Sequence, residues 1–318
     1  MILFNNHQNK NHQNNNHQNK NHQNDKYNKI KNVSESNKML INIIKNNNPF
    51  SIVRMGWGPE TTLTVSYMYH NFFNENELHP FYKTLYNAGI YTKNKDLNMI
   101  KLFCKYYDKA IKESDMILSF SKTDKSISYC QNLYASNYRK NQLDHTVLNP
   151  TNIIIKNETP WTHYLKGKKI LIINPFIQSI KKQLDNNFKL MHNNIFLENQ
   201  HFCFYKPFQT IAGNHIHENW FETFKIMCRE IQNIDFDIAL LSCGGYGLPL
   251  CSFIKEYLNK QAIYVGGELQ MWFGVLGKRW GENLFWQEII KNCPSTFIRP
   301  SGDEICKNLN TIEGGCYW

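Results

Sequence analysis

The sequence lacks the short motifs that most directly identify a nucleotide-binding or hydrolytic site. Its 318 residues contain no G-x-G-x-x-G, no glycine loop ending in Gly-Lys-Ser or Gly-Lys-Thr, and no G-x-S-x-G. The first two are phosphate-binding loops, and the third is the nucleophile elbow of serine hydrolases. These absences exclude a P-loop protein and give a serine hydrolase little support.

Paired cysteines and long apolar runs are also missing. The nine cysteines are irregularly spaced, and no C-x-x-C occurs. This pattern predicts buried free thiols in a reducing compartment and not disulfides or a zinc site. No apolar run approaches the roughly 20 residues of a membrane helix, and the opening apolar residues are too few for a signal peptide. We therefore expect a cytoplasmic protein without a membrane span.

Charge is sparse and weakly patterned, because charged residues make up 19% of the chain. The formal net charge is +10, and residues 1–31 supply +4 of it through five Lys and one Asp. The remaining basic residues are scattered, and no nucleic-acid motif is visible. We therefore expect no nucleic-acid partner.

The N-terminus is a low-complexity repeat. Asn-His-Gln-Asn begins at residues 6, 11, 16 and 21, so the histidines recur every five residues. A His-rich tract could chelate metal, but a polar repeat that buries no apolar area is typical of disorder. The sequence predicts a disordered tail over residues 1–33 and a single folded domain over residues 34–318.

The stretch 235–279 reads as strand, glycine turn, helix, strand and second glycine turn. The apolar run Ile238–Leu241 is followed by Gly244, Gly245 and Gly247. After the next buried strand come Gly267 and Gln270. Ligands of parallel α/β sheets bind outside the carboxyl ends of the strands, and such turns let backbone N–H groups approach a phosphate. The same glycines could serve only to make tight turns.

Residues 50–60, FSIVRMGWGPE, repeat this strand–glycine-loop–helix pattern with two charged residues. Arg54 ends the strand, Gly56 and Gly58 form the loop, and Glu60 opens the helix. A Glu in a first helical turn also complements the helix dipole, so a purely structural role for it is an alternative. Two further polar residues that end short apolar strands are expected to line the same crevice: Ser119 and Asn174.

The segment RMGWGPE resembles the R-x-G-D-G-E loop of bacterial glycosyltransferases with the GT-D fold. The downstream segments KGKKILIINPF, DIALLSCGGYGLPLCSFIKE and AIYVGGELQMWFGVLGKRW resemble the Rossmann-like core of the same group, including relatives found beside surface-polysaccharide genes. The resemblance covers roughly residues 38–318. It implies an α/β fold with a mostly parallel, Rossmann-like sheet and helices on both faces.

The resemblance also implies a function and a set of roles. A sugar would pass from a nucleotide-sugar donor to a glycan or other hydroxyl acceptor. Glu60 would be the general base or a metal ligand, and Arg54 would bind phosphate or orient Glu60. The donor diphosphate would lie against the turn at residues 244–247, with Lys278 or Arg279 offsetting its charge.

The loop departs from the family pattern at the metal-linked acid. Trp57 stands at the position of the family's Asp, and Pro59 is inserted before Glu60. Only Glu60 carries over as an acid, so Mn²⁺ or Mg²⁺ would need Glu60 together with another carboxylate. Two alternatives therefore stay open: another nucleotide-sugar-modifying enzyme or phosphohydrolase, and a non-catalytic nucleotide- or glycan-binding protein.

Overall fold

The computed structural model describes residues 27–56, 59–70, 85–93, 96–190 and 195–318. The histidine repeat and two residues of the glycine loop, Trp57 and Gly58, lie outside the described residues. The first described strand begins at Ile30, ahead of the residue 34 at which the sequence places the start of the domain.

A single sheet of eight parallel strands forms the centre of the described chain. Its spatial order is β1-β4-β3-β2-β8-β7-β5-β6. The strands are β1 Ile30–Lys31, β2 Ser51–Arg54, β3 Met116–Ser119, β4 Asn141–Asp144, β5 Lys169–Ile173, β6 His201–Tyr205, β7 Ile238–Leu241 and β8 Gln261–Tyr264. The predicted α/β, Rossmann-like fold is confirmed, and every described strand pair is parallel.

Eleven α-helices with assigned bounds surround this sheet in the described chain. They are α1 Val33–Lys45, α2 Pro59–Tyr69, α3 Leu97–Glu113, α4 Lys125–Tyr138, α5 Thr151–Ile154, α6 Ile177–Asp185, α7 Trp220–Ile231, α8 Gly247–Glu256, α9 Leu269–Trp272, α10 Lys278–Gly281 and α11 Leu284–Lys291. Residues 85–88 are also helical. Side-chain caps fix several starts; for example, the Asn32 side chain and Glu35 form a reciprocal capping box at α1.

The helices divide between the two faces of the sheet. One core cluster contains apolar side chains of α2, α3, α4, α7 and α8. The other contains apolar side chains of α1, α6, α9 and α11. Strands β5 and β7 separate these clusters and are apolar along almost their whole length, as expected for strands covered on both faces.

The chain leaves several pairs of neighbouring strands toward opposite faces of the sheet. It leaves β2 for α2 on one face and leaves the adjacent β8 for α9 on the other face. The same divergence separates β7, which leads to α8, from β5, which leads to α6. Diverging connections open a crevice at the carboxyl ends of the strands, and this is where open α/β sheets bind ligands.

The described residues contain nine free cysteines, as the sequence predicts. Six of these nine side chains are buried. None of the helices in the described part of the chain is long and apolar enough to cross a membrane.

The buried strand β5 supplies a test of this core. Ile172 is 0% exposed, whereas Ile155 at the end of α5 is 52% exposed. Ile172→Ala should lower the free energy of unfolding by about 2–5 kcal/mol, because it removes buried methyl groups and leaves a cavity. Ile155→Ala should change it by less than about 0.5 kcal/mol. Urea unfolding of both variants checks this, and equal losses would contradict the assigned burial.

Candidate functional site

A cavity of about 110 Å³ lies at the carboxyl edge of the sheet. Segments that follow β2, β5, β6, β7 and β8 all contribute to its wall. The lining residues are Arg54, Asn87, Ala88, Pro175, Phe176, Pro207, Phe208, Gln209, Thr210, Ile211, Ser242, Cys243, Gly244, Tyr246, Tyr264, Gly267, Gln270, Tyr317 and Trp318. Arg54 has the one charged side chain among these described residues, so this part of the wall favours an anionic group.

Arg54 is held by cation–π contacts with aromatic rings, and no ion pair to it occurs among the described residues. Its guanidinium carbon lies 5.6 Å from the ring centroids of both Phe120 and Tyr264. Gly266 has a φ of +82°, and a Cβ there would overlap the guanidinium, so this glycine makes the arrangement possible. Arg54 Nε is buried and has no hydrogen-bond partner among the described residues. A buried N–H without a partner is rare in folded proteins and points to a missing ligand or water.

Glu60 lies in the first turn of α2, close to the charge of Arg54. A Cβ on Gly56 would lie 2.9 Å from Glu60 Oε2, so the carboxylate packs directly on the glycine loop. Burial raises the pKa of the Glu60 carboxyl, and the opposing effect of the Arg54 guanidinium is smaller. The loop is held by the hydroxyl of Tyr107, which accepts a hydrogen bond from Gly56 N at 3.0 Å.

A second carboxylate, that of Glu268, follows β8, and the charge of Arg54 lowers its pKa. Its Oε1 accepts hydrogen bonds from Asn149 Nδ2 and from Trp286 Nε1, both at 3.2 Å. Burial raises the pKa of Glu268, while these two donors and the charge of Arg54 oppose the rise. Glu60 and Glu268 thus lie on either side of the point where the chain leaves β2 and β8 for opposite faces.

Polar groups at the ends of β3 and β4 also lie at this end of the sheet. Ser119 is fully buried, and its Oγ has no hydrogen-bond partner among the described residues. The ring of His145 lies 4.4 Å from that of Phe120. Burial and the charge of Arg54 both lower the pKa of His145, against the effect of Asp144. The imidazole is therefore neutral at physiological pH.

The glycine turn after β7 is filled largely by the protein itself. A Cβ on Gly244 would lie 2.8 Å from the carbonyl oxygen of Ala88, and one on Gly245 would lie 2.6 Å from Ile90 Cγ1. A Cβ on Gly247 would overlap the ring of Tyr264. Gly244 lines the cavity, whereas Gly245 and Gly247 do not. Close packing accounts for the latter two glycines without a ligand.

Three other residues predicted from strand ends lie at or beside the cavity. Asn174 Oδ1 accepts a hydrogen bond from Phe176 N at 2.8 Å, and its Nδ2 is buried without a partner in the described chain. A Cβ on Gly267 would lie 2.5 Å from Tyr317 Cε1. Gln270 Nε2 donates to the carbonyl oxygens of Val275 at 3.1 Å and Tyr317 at 2.9 Å. Gln270 therefore positions the C-terminal segment that covers the cavity.

Lys278 and Arg279 contact the C-terminal segment and do not line the cavity. Lys278 N donates to Trp318 O at 2.8 Å. The Arg279 guanidinium pairs with Glu313 and lies 5.0 Å from the Tyr317 ring centroid. Both residues thus hold in place a segment whose last two aromatic side chains form part of the cavity wall.

The described residues bring no three His, Cys, Asp or Glu side chains together at metal-binding distances. The charge of Arg54 lowers the pKa values of two carboxylates, those of Glu60 and Glu268. Mg²⁺ is commonly held by one or two carboxylates together with substrate phosphates. The donor set therefore fits a divalent ion only when phosphate oxygens complete the coordination.

The sequence did not identify Glu268, His145, Asn149 or Tyr264 as site residues. Each follows or ends a strand, which is the same signal that identified Arg54 and Ser119. Glu268 directly follows Gly267, which the sequence did identify. The sequence could not show the order of strands in the sheet, and that order brings residues 54, 145 and 268 together.

Fold and site together define an α/β protein with a ligand crevice at the carboxyl edge of a parallel sheet and a single cation in its described wall. Residues 32–272 match the family model described as GT-D fold-like domain, and the chain belongs to this GT-D-like family. No curated protein and no solved structure matches the chain.

The tight turn after β7 leads to a first prediction for the site. Gly247→Ala should destabilise the protein by about 1–3 kcal/mol, because the added methyl group forces the Tyr264 ring out of place. Gly281→Ala is the matched control, since its Cβ would lie no closer than 3.7 Å to another atom. Thermal unfolding should show a loss for the first variant and none for the second. Equal stability of the two would mean that the turn is not closely packed.

The raised pKa of Glu60 leads to a second prediction, on pH. The folded state binds the Glu60 proton more tightly than the unfolded chain does, so ionisation of Glu60 costs stability as pH rises above about 4.3 through the raised pKa. Glu60→Gln should therefore match the wild type near pH 4 and become more stable than the wild type toward pH 7.

Denaturant unfolding at several pH values measures this difference. Glu282→Gln is the control, because that carboxylate is exposed and pairs only loosely with Lys278 at 4.0 Å. A Glu60→Gln variant that loses stability relative to the wild type as pH rises would contradict the assignment.

Proposed function

We propose that this protein is a glycosyltransferase that moves a sugar from a nucleotide-sugar donor to the hydroxyl of a glycan or similar acceptor. The observation that carries the proposal is the cavity whose charged wall residue is Arg54, with Glu60 beside it, inside a GT-D fold-like domain. A cation for a leaving diphosphate and a carboxylate for an acceptor proton are the two charged groups that such a transfer needs.

The diphosphate is the part of the donor that fits the cavity. A volume of about 110 Å³ is well below the roughly 300–1,000 Å³ of pockets that hold whole small molecules. We therefore assign the diphosphate to the cavity, against Arg54 and the backbone at Gly244. The rest of the donor extends along the crevice past Tyr264 and Tyr317, which form part of the cavity wall.

Glu60 is assigned the role of general base. The acceptor oxygen attacks the anomeric carbon while the bond from that carbon to the diphosphate oxygen breaks. The acceptor proton passes to Glu60, and the negative charge of the departing nucleoside diphosphate is offset by Arg54. Burial favours this role, since a raised carboxyl pKa makes ionised Glu60 a stronger base.

If Glu60 is a metal ligand and not the base, a divalent ion would be held by Glu60, by Glu268 and by donor phosphate oxygens. It would supply additional charge for the leaving group. Chelation with EDTA should then abolish transfer, and Mn²⁺ or Mg²⁺ should restore it. If Arg54 alone offsets the charge of the leaving group, EDTA should leave transfer unchanged.

The test is a panel of UDP, GDP and their sugars with and without glycan acceptors, using wild type and Glu60→Gln. The variant keeps the size and hydrogen bonding of Glu60 but cannot take a proton. Turnover should fall by about 10²–10⁴-fold while nucleotide affinity changes little. Glu282→Gln, remote from the cavity wall, should retain full turnover.

Other outcomes distinguish the alternatives. Release of free sugar or phosphate without an acceptor would favour a hydrolase or a nucleotide-sugar-modifying enzyme. Saturable nucleotide binding without any turnover would favour a binding protein. Unchanged turnover in Glu60→Gln would remove Glu60 from the mechanism.

A further inference from the structure

A set of unpaired polar groups surrounds Arg54 on the side of β3, β4 and α9. Ser119 Oγ and Arg54 Nε are buried atoms without a hydrogen-bond partner in the described chain, and His145 Nδ1 has only a 3.5 Å contact with Asp144 Oδ1. They belong to three neighbouring strand ends, because β4, β3 and β2 are consecutive in the sheet. Buried polar groups of folded proteins are nearly always hydrogen-bonded, so a shared group of unpaired atoms indicates a place for a polar ligand.

The carboxylate of Glu268 is close enough to Arg54 for that charge to affect its pKa, and hydrogen bonds fix its orientation. Asn149 donates to its Oε1, and Asn149 is itself oriented because its Oδ1 accepts the Thr151 N–H at 3.0 Å. The indole N–H of Trp286, in α11, donates to the same oxygen. No hydrogen bond to Oε2 occurs among the described residues. The second oxygen is therefore available to accept a hydrogen bond from a ligand.

The region combines hydrogen-bond donors and acceptors at a few neighbouring positions, which is what a carbohydrate ligand with several hydroxyl groups requires. The rings of Phe120 and Tyr264 contact Arg54 and hold its guanidinium in place beside them. Two carboxylates, Glu60 and Glu268, oppose the single cation Arg54, and the imidazole of His145 adds no positive charge.

We propose that Glu268, oriented by Asn149 and Trp286, binds hydroxyl groups of the transferred sugar and restricts the donor to neutral or amino sugars. A uronic acid would place a third carboxylate near Glu60 and Glu268. This inference rests on the proposed transfer reaction and names the substrate class of that same site.

Two matched pairs of donors test the inference: UDP-glucose against UDP-glucuronate, and GDP-mannose against GDP-mannuronate. Members of each pair differ in oxidation at one sugar carbon. The wild type should transfer a neutral sugar and discriminate against its acidic partner by at least about tenfold in kcat/KM. Glu268→Gln should lower kcat/KM for the neutral donor by about 10–100-fold, because it weakens a hydrogen bond to a charged group.

The affinity for free UDP and GDP distinguishes sugar binding from a structural role, because a residue that only supports the site would also change that affinity when replaced. Their affinity for Glu268→Gln should equal that of the wild type, since they lack the sugar. Glu282→Gln should resemble the wild type in every measurement. The melting temperature of Glu268→Gln shows whether its amide preserves the contacts of Asn149 and Trp286.

The possible failures are distinguishable. Transfer without discrimination between neutral and acidic donors, or an unchanged kcat/KM in Glu268→Gln, overturns the role of Glu268 and leaves the transferase proposal standing. If Glu268→Gln loses affinity for free UDP or GDP by the same factor as it loses kcat/KM for the neutral donor, Glu268 is a structural residue. Absence of binding by any nucleotide or nucleotide sugar overturns both proposals.

Discussion

The ring of Tyr264 joins the two halves of the candidate site. This last residue of β8 packs against Gly247 on one side and lies beside the Arg54 guanidinium on another. Its hydroxyl donates to Gly244 O at 3.1 Å, so it also fixes the turn after β7. Because Gly247 has no side chain and Gly266 bends with a positive φ, the ring and the guanidinium fit together. The position of the unpaired cation therefore depends on two glycines distant from it in sequence.

Sheet topology explains why charged groups gather at this point. β2 and β8 are neighbours, yet their connections cross to opposite faces, so neither helix covers the space above them. Glu60 and Glu268 are the first acids after those two strands, and both have pKa values raised by burial. Groups with perturbed pKa values in a crevice are candidates for function on physical grounds. The same burial makes the folded protein less stable when these two carboxylates are ionised, and such a loss of stability is common at functional sites.

The sequence predicted strands that are buried along nearly their whole length and missed a strand that is buried only in its middle. The apolar run Ile238–Leu241 matches β7 residue for residue, and the apolar strand predicted to end at Asn174 is β5. By contrast β4, with the sequence NQLD, carries no apolar run and is a strand only because β3 lies beside it. The site follows the same rule. Arg54 and Glu60 were identifiable within one local pattern, whereas Glu268, His145 and the covering residues Tyr317 and Trp318 required the order of strands. Lys278 and Arg279 had the charge expected of diphosphate ligands, but the structure places them against the C-terminal segment.

The most direct test of the account is a crystal structure of the protein with its bound donor nucleotide. The account predicts that diphosphate oxygens lie within hydrogen-bonding distance of Arg54, in the cavity between Tyr264 and Gly244. The sugar should then lie toward Glu60 and Glu268. A nucleotide bound instead at the opposite, amino-terminal edge of the sheet, where Lys45, Lys168 and Lys260 line a larger groove, would contradict it.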